Sequence, residues 1–382
     1  MKHKFIIAFV FLNILMITTC AQSNIKEVKI VVEAEGVENG EAVFIAGNNE
    51  KLGNWAPDAV QLENNGNVWE KTFEFYKEAI LEFKITKGSW DKEALTDDNK
   101  VPDNYIFKVN ADTTVYLKIT KWKGRDPISG GFKGQITGTV EYHKDFTMEG
   151  LRPRDIIVWL PPGYFDKSAR RYPVLYMHDG QNIVDPNTSS FGIDWQIDET
   201  ADSLIRSQEI EPFILIGINN TADRFFDYSP GEKGKAYMKL IIEKIKPFID
   251  SNYKTLHGRE NTAVGGSSMG GLISFMIAWE HPEVFSKAIC MSPAFKFNQV
   301  DYVKEVKSYN GEKKDIVLYI DNGGVGLEET LQPGIDEMLE ALQGKGYEEG
   351  KDYIWIKDNE AEHNEPAWAK RMSYPLKIFY GK

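Results

Sequence analysis

Between residues 25 and 122 apolar and polar positions alternate in short runs, at 28–32, 42–46, 69–75, 81–85 and 115–119, separated by clusters of Asn, Gly, Asp and Pro. Alternation with a period of two gives each strand one apolar face, so this stretch predicts a small antiparallel β-sandwich. Residues 123–137, with Asp126-Pro127 and Ser129-Gly130-Gly131, have no periodicity and read as a linker. From residue 138 the text changes to near-continuous apolar runs at 155–160, 173–177, 213–217, 262–265, 287–291, 315–320 and 353–356. Such runs predict strands buried on both faces. Between them, 235–253 and 333–344 space their apolar residues as helices do, as in Met238, Ile241, Ile242, Ile245 and Ile249. Strands alternating with helices over residues 138–382 imply a mostly parallel, doubly wound sheet, preceded by the all-β unit of residues 25–122. No internal repeat interrupts this plan.

Composition narrows the partners. The chain has 382 residues, 42% of them apolar, enough for two cores, and a formal net charge of −12. An acidic surface of this size opposes binding through phosphate contacts, so nucleic acid is not an expected partner, whereas glycans, neutral esters and small molecules are compatible with it. At the start, Lys2 and Lys4 precede an apolar run over 5–17 and then Thr18-Thr19-Cys20, which predicts an export signal over residues 1–20. The run is too short to span a bilayer. Ile17-Thr18-Thr19-Cys20 resembles the lipobox of bacterial lipoproteins, which implies acylation of Cys20, a cell-envelope location in the outer membrane or periplasm, and membrane contact only through the lipid; a plain signal peptide and secretion is the alternative. Cys290 is then the only other cysteine, so no disulfide is expected within the chain.

Chemistry enters at Gly265-Gly266-Ser267-Ser268-Met269-Gly270-Gly271, where Gly266 to Gly270 fits G-x-S-x-G. The pattern is weak alone, but here it follows a predicted strand and precedes the apolar stretch 272–279, a predicted helix. Strand, sharp turn and helix are what a nucleophile elbow requires, with flanking glycines because neighbouring side chains would collide. The bland alternative is a glycine-rich packing turn. A serine needs a base. Of six histidines, His3 lies in the export segment, His143 and His257 lie in polar stretches, His281 ends the predicted helix, and His178 falls in the loop expected beside the elbow. Only His363, after the last predicted strand, has both the position and the order after Ser268 that such a hydrolase needs. For the acid, Asp321 directly ends a strand and Glu328 lies in the predicted loop beyond it; spacing does not separate them.

With these pieces placed, residues 138–382 resemble the esterase family that includes esterase D, feruloyl esterases and enterochelin esterases. The resemblance rests on Tyr172-Pro173-Val174-Leu175-Tyr176-Met177-His178-Asp179-Gly180-Gln181-Asn182, on Gly217-Ile218-Asn219-Asn220 with Arg224 and Asp227-Tyr228-Ser229-Pro230, on the serine turn, and on Glu362-His363-Asn364-Glu365 with Trp368 and Arg371. It implies an α/β-hydrolase fold and a Ser268, His363 and acid triad. The family's acid follows a Gly-Thr pair; Gly323-Gly324-Val325-Gly326-Leu327-Glu328 departs from that, and makes Glu328 the first choice with Asp321 in reserve. An oxyanion hole from the backbone amides of Met269, Gly180 and Gln181 is implied as well. No cofactor is expected, and no metal, because His178 and Asp179 lack a third ligand.

The first unit resembles a glucoamylase-type starch-binding module, through Val43-Phe44-Ile45-Ala46-Gly47, Leu52-Gly53-Asn54-Trp55, Trp69 and Leu81-Glu82-Phe83-Lys84-Ile85. That resemblance implies a sugar site of Trp55, Lys84 and Trp90, with Asp91 beside it, since flat aromatic faces stack on pyranose rings. After Trp90 the match fades, and the alternative is that Trp69 and Trp55 are core residues of a sandwich that merely positions the hydrolase. The combined expectation is a serine carboxylic-ester hydrolase working through an acyl-enzyme on an ester-decorated polysaccharide or oligosaccharide. Two rivals stand beside it: a glycan-binding surface lipoprotein whose hydrolase half is a scaffold, and a hydrolase of another acyl bond such as a siderophore lactone.

Overall fold

The computed structural model describes residues 24–38, 40–66, 68–97, 102, 104–123, 136–166, 169–189 and 193–382. The expected export segment with Cys20 and most of the linker, residues 124–135, lie outside the described residues.

Among its described residues the first unit holds ten strands: β1 (Ile25–Ala34), β2 (Phe44–Gly47), β3 (Val60–Gln61), β4 (Glu63–Asn65), β5 (Val68–Tyr76), β6 (Ile80–Thr86), β7 (Ala94–Leu95), β8 (Tyr105–Lys108), β9 (Thr113–Ile119) and β10 (Lys121–Trp122). They form two four-stranded sheets, β4-β5-β1-β9 and β3-β2-β6-β8, with β7 and β10 paired separately. Alternation does what it predicts: Val28, Ile30, Val32, Trp69, Phe73, Phe75, Leu81, Phe83 and Ile85 turn inward and form one core. The sandwich is not wholly antiparallel, however, because β1 runs parallel to β9, with Val28 opposite Thr113.

The second unit is an eight-stranded sheet built from β11 (Thr139–Phe146), β12 (Arg154–Leu160), β13 (Val174–His178), β14 (Ile214–Ile218), β15 (Thr262–Ser267), β16 (Lys287–Met291), β19 (Val317–Gly323) and β20 (Tyr353–Asp358); the two-stranded hairpin β17 (Lys296–Phe297) and β18 (Val300–Asp301) stands apart. The order is β11-β12-β14-β13-β15-β16-β19-β20. β12 pairs antiparallel with both β11 and β14, and every later pairing is parallel. Successive residues of a strand serve opposite layers: Val174 and Tyr176 of β13 join one core, Leu175 and Met177 the other. β11 escaped the pattern reading because it is an edge strand whose positions are half-buried or exposed, with no continuous apolar run.

Among the described residues nine helices flank the sheet: α1 (Ile197–Arg206), α2 (Arg224–Asp227), α3 (Glu232–Leu240), α4 (Lys246–Asn252), α5 (Met269–Glu280), α6 (Val303–Ser308), α7 (Leu327–Gly344), α8 (Glu365–Arg371) and α9 (Ser373–Tyr380). α3 and α4 are joined through a π-turn at Ile241–Ile245. Pro247 follows it and has no N–H to donate, so a widened turn here gives up little hydrogen bonding. Among the described residues no helix is long and apolar enough to cross a membrane.

One buried ion pair ties β12 to the α2 segment: Arg154 Nη2 lies 2.9 Å from Asp227 Oδ2, both side chains fully buried. The guanidinium also sits over the Tyr237 ring, 4.8 Å from its centre. Removing one partner strands the other charge without water, which costs about 3–5 kcal/mol. Asp227→Ala is therefore expected to lower stability in urea unfolding by that amount, and the apolar pair Arg154→Met with Asp227→Leu to recover most of it.

Candidate active site

β15 ends at Ser267 and α5 begins at Met269, leaving Ser268 alone in the turn with φ 58° and ψ −122°. Positive φ at a residue with a side chain is strained, and the strain holds only because the neighbours fix it. A Cβ on Gly266 would lie 2.9 Å from the carbonyl carbon of Gly270, and one on Gly271 3.0 Å from the carbonyl oxygen of Met291. No larger residue fits at either place. The Ser268 amide donates to Met291 O at 2.9 Å, and its carbonyl accepts from Leu272 N at 3.1 Å and Ala294 N at 3.0 Å. α5 is buried along all its residues except Glu280, so its first turn, with the Met269 amide and the positive end of the helix dipole, lies in the interior.

His363 stands in the loop between β20 and α8. Its Nδ1 is 3.0 Å from Glu328 Oε1, and the edge of its ring meets the Trp368 indole, with centres 5.0 Å apart. Glu328 is not in a loop, as the pattern suggested: it occupies the first turn of α7, which begins at Leu327, ahead of the expected start at Pro333. Pro333 lies inside α7, where it has no N–H to offer the preceding turn.

The Glu328 carboxylate is fully buried. Burial pushes its carboxyl up, but hydrogen bonds from His363 and Ser292 outweigh that and hold it below the usual glutamate value. Ser292 donates to Glu328 Oε1 at 2.5 Å while accepting from Trp368 Nε1 at 3.0 Å and Arg371 Nη2 at 3.2 Å. Asp321 is committed elsewhere. Its carboxylate accepts from Arg371 Nε at 3.0 Å, Arg371 Nη2 at 3.2 Å and Tyr319 OH at 2.8 Å. Ser292 went unnoticed in the sequence, although its place directly after β16 is a signal of the kind that singled out Asp321.

Two glycines bring the acid and the histidine loops together. A Cβ on Gly323 would fall 2.2 Å from the Ala361 carbonyl oxygen, which instead receives hydrogen bonds from the amides of Gly324 at 3.1 Å and Val325 at 3.2 Å.

The 178–181 loop lies against the first turn of α5: a Cβ on Gly270 would be 3.3 Å from Asp179 Oδ2 and 3.5 Å from His178 Cβ. His178 is sealed in, bonded through Nδ1 to Tyr237 OH at 2.8 Å, and burial pushes its pKa down to about 3. It stays neutral. Asp179, at φ 56°, is clamped by Arg224 Nε and Nη2, both at 2.7 Å, and by Asn220 Nδ2 at 2.6 Å. Gly180 packs on the Gly217 backbone, where a Cβ would come within 2.3 Å of the carbonyl carbon. Gln181 Oε1 accepts from Asn220 N at 3.1 Å. The loop carrying the Gly180 and Gln181 amides is thus fixed beside the elbow from several sides.

Of the sugar-site residues implied for the first unit, Trp55 is half-buried and packs against the core of the second unit. Lys84 sits 3.7 Å from Glu93 Oε2 and donates to the Pro102 carbonyl at 2.9 Å. Trp90 is half-buried in the 3₁₀ turn Trp90–Lys92, and the Asp91 side chain lies outside the described residues. At the start of α1, Asp194, Asp198 and Glu199 cluster. There Asp198 Oδ2 accepts from Thr137 N at 2.7 Å and Thr137 Oγ1 at 3.0 Å, anchoring the chain where it enters the second unit.

Residues 150–374, more than half of the chain, match the family model described as "Putative esterase". The chain belongs to that esterase family. Residues 27–117 of the esterase match the starch binding domain model. The chain is 30% identical over 200 residues to the endo-1,4-beta-xylanase/feruloyl esterase of Xylanibacter ruminicola, a match that spans half of this chain and a quarter of that protein. It is 22% identical over 247 residues to the uncharacterized protein YbbA of Bacillus subtilis, covering 60% of this chain and 93% of YbbA. A ferulic acid esterase structure superposes with a TM-score of 0.54 at 18% identity, over 63% of this chain and 98% of its own. The enterobactin esterase FES from Shigella flexneri superposes with a TM-score of 0.54 at 11% identity, over 94% of both chains. At these identities the structural likeness shows the fold, here across both units.

Glu365, at the first position of α8, gives the esterase a pH signature. Burial and the nearby Asp179 push its carboxyl from the ordinary 4.5 to about 7, with Lys84 and Arg224 pulling back in part. The folded protein then holds this proton more tightly than the unfolded chain. The contribution to stability is full below pH 4.5 and is lost as pH rises through about 7, a swing of roughly 3 kcal/mol. Urea titrations are expected to show Glu365→Gln more stable than the wild type near pH 8, with the gap closing by about pH 4.

Proposed function

We propose that the protein is a serine carboxylic-ester hydrolase in which Ser268 attacks, His363 carries the proton and Glu328 orients the imidazole. The observation that carries the reading is the 3.0 Å contact of His363 Nδ1 with the buried Glu328, in a fold that sets Ser268 out on a strained elbow. In this reading Nδ1–H donates to Glu328, so Nε2 is left as the basic nitrogen. Nε2 takes the Ser268 proton as Oγ adds to the ester carbonyl; the oxyanion is held by the amides of Met269 and of Gly180 or Gln181; Nε2 then returns the proton to the leaving alcohol. Water repeats the sequence on the acyl-enzyme. Each oxyanion donor of this kind is worth on the order of 3 kcal/mol of barrier.

A substrate ester carried on a polysaccharide or oligosaccharide is part of the proposal. It is supported by the starch binding domain match and by the relative that joins a xylanase to a feruloyl esterase. Export to the cell envelope with Cys20 acylated belongs to the same reading and rests on the sequence of the first residues.

Hydrolysis of p-nitrophenyl acetate tests the chemistry. Ser268→Ala and His363→Ala are each expected to cut kcat/KM at least about a thousandfold; an equally active Ser268→Ala protein would end the proposal. The two acids are expected to part company. Glu328→Gln should lower kcat by about a thousandfold or more, whereas Asp321→Asn, which unpairs Arg371, should cost about 3 kcal/mol of stability in urea unfolding while keeping kcat within tenfold.

A further inference from the structure

Asp179 carries a charge in a place that does not favour one. Its backbone is left-handed, with φ 56° and ψ 43°, and the residue is only 4% exposed. A Cβ on Gly270 would lie 3.3 Å from Asp179 Oδ2, so the carboxylate rests against the first turn of α5. That turn carries the Met269 amide, which receives the oxyanion in the ester-hydrolase reading above. A bare negative charge there would oppose the one that develops on the substrate, with little water at hand to screen it.

Arg224 meets this charge with a fork. Its Nε donates to Asp179 Oδ1 and its Nη2 to Oδ2, each at 2.7 Å, a bidentate pairing that a lysine does not reproduce. Burial pushes the Asp179 carboxyl up, but Arg224 and Asn220 outweigh that and hold it below the usual aspartate value, so the pair stays charged. The same Nη2 lies 3.5 Å from the carbonyl oxygen of Ser267, the residue just before Ser268. One guanidinium thus reaches both the 178–181 loop and the strand that carries the elbow. It also lies over the Tyr228 ring, 5.1 Å from its centre, while Tyr228 OH accepts from Asp179 N at 3.2 Å. The arm starts from a firm base. Arg224 opens α2 and Asp227 closes it, with Asp227 paired to Arg154 of β12 at 2.9 Å and Asp223, just ahead of the helix, paired to Lys233 of α3 at 2.6 Å.

Asp179 leads directly into the 3₁₀ turn Gly180–Asn182. A left-handed residue followed by such a turn sends successive amides to one side, forming the kind of backbone hollow that binds anions. The fork fixes the residue at which this hollow begins. We propose that Arg224 is the positioning residue of the oxyanion hole: it holds the Gly180 and Gln181 amides in place against the Met269 amide, and it cancels the Asp179 charge beside them. This rests on the ester-hydrolase reading. The oxyanion exists only once Ser268 has added to the ester carbonyl, so the effect of Arg224 falls on kcat and leaves KM unmoved.

Kinetics of the full chain on p-nitrophenyl acetate test this role. Arg224→Ala is expected to lower kcat about a hundredfold, with KM within about threefold of the wild type. Adding Asp179→Asn removes the uncancelled charge and should win back about tenfold in kcat over Arg224→Ala alone. Guanidinium chloride at about 20 mM, far below denaturing concentrations, should raise the kcat of Arg224→Ala several-fold and leave the wild type unchanged. The role is overturned if Arg224→Ala keeps kcat within about threefold, if its loss lies in KM, or if neither Asp179→Asn nor guanidinium restores activity. Should Arg224→Ala not fold, by circular dichroism, Arg224→Lys decides, because it keeps the charge without the fork: a kcat about tenfold down supports the role, and a wild-type kcat overturns it. An inert wild type, or a Ser268→Ala protein of equal activity, fails the hydrolase reading itself and takes the role of Arg224 with it. A wild type that depends on Ser268 beside an unimpaired Arg224→Ala sinks the role alone.

Discussion

The Glu328 carboxylate carries a charge with no access to water, and the polar groups around it converge on its Oε1, which meets both Ser292 and His363. It accepts from Ser292; Ser292 is held by Trp368 and Arg371; Arg371 is fixed by Asp321, which is fixed in turn by Tyr319. The strands β16 and β19 and the helices α7 and α8 all contribute to this one polar network. In a low dielectric such a chain is rigid when every member is satisfied and costly when one is missing. His363 is the outermost member, at 11% side-chain exposure, and the network gives its ring a defined orientation where the site opens.

Sterics set the other half of the site. Ser268 is held at a positive φ by glycines that sit where no Cβ fits, and the 178–181 loop is brought alongside by the same means at Gly180. The site is therefore made of backbone approaches too close for side chains, plus one buried polar chain. Both are consequences of placing loops at the C-terminal ends of parallel strands, where consecutive strands deliver their ends side by side.

The first unit changes meaning once its contacts are known. A module with a starch binding domain pattern invites the picture of a tethered anchor that raises local substrate concentration. Here its Trp55 turn and the Asn48 backbone are joined to the β17–β18 hairpin of the catalytic unit. The two units share an interface.

The sequence by itself determined the strands buried on both faces, the inward alternation of the sandwich, and the serine turn, because each is a local matter of periodicity or of residues adjacent in the chain. The edge strand β11 was not legible, since a half-exposed strand carries no continuous apolar run. Nor could spacing alone choose between Asp321 and Glu328: both follow one strand, and only packing shows Arg371 claiming the first while His363 meets the second. The seating of Trp55 and of the Asn48 backbone on the second unit was beyond the sequence altogether. Alternation says which residues share a strand face; what covers that face depends on how the two units pack, and that is fixed by contacts between residues hundreds of positions apart.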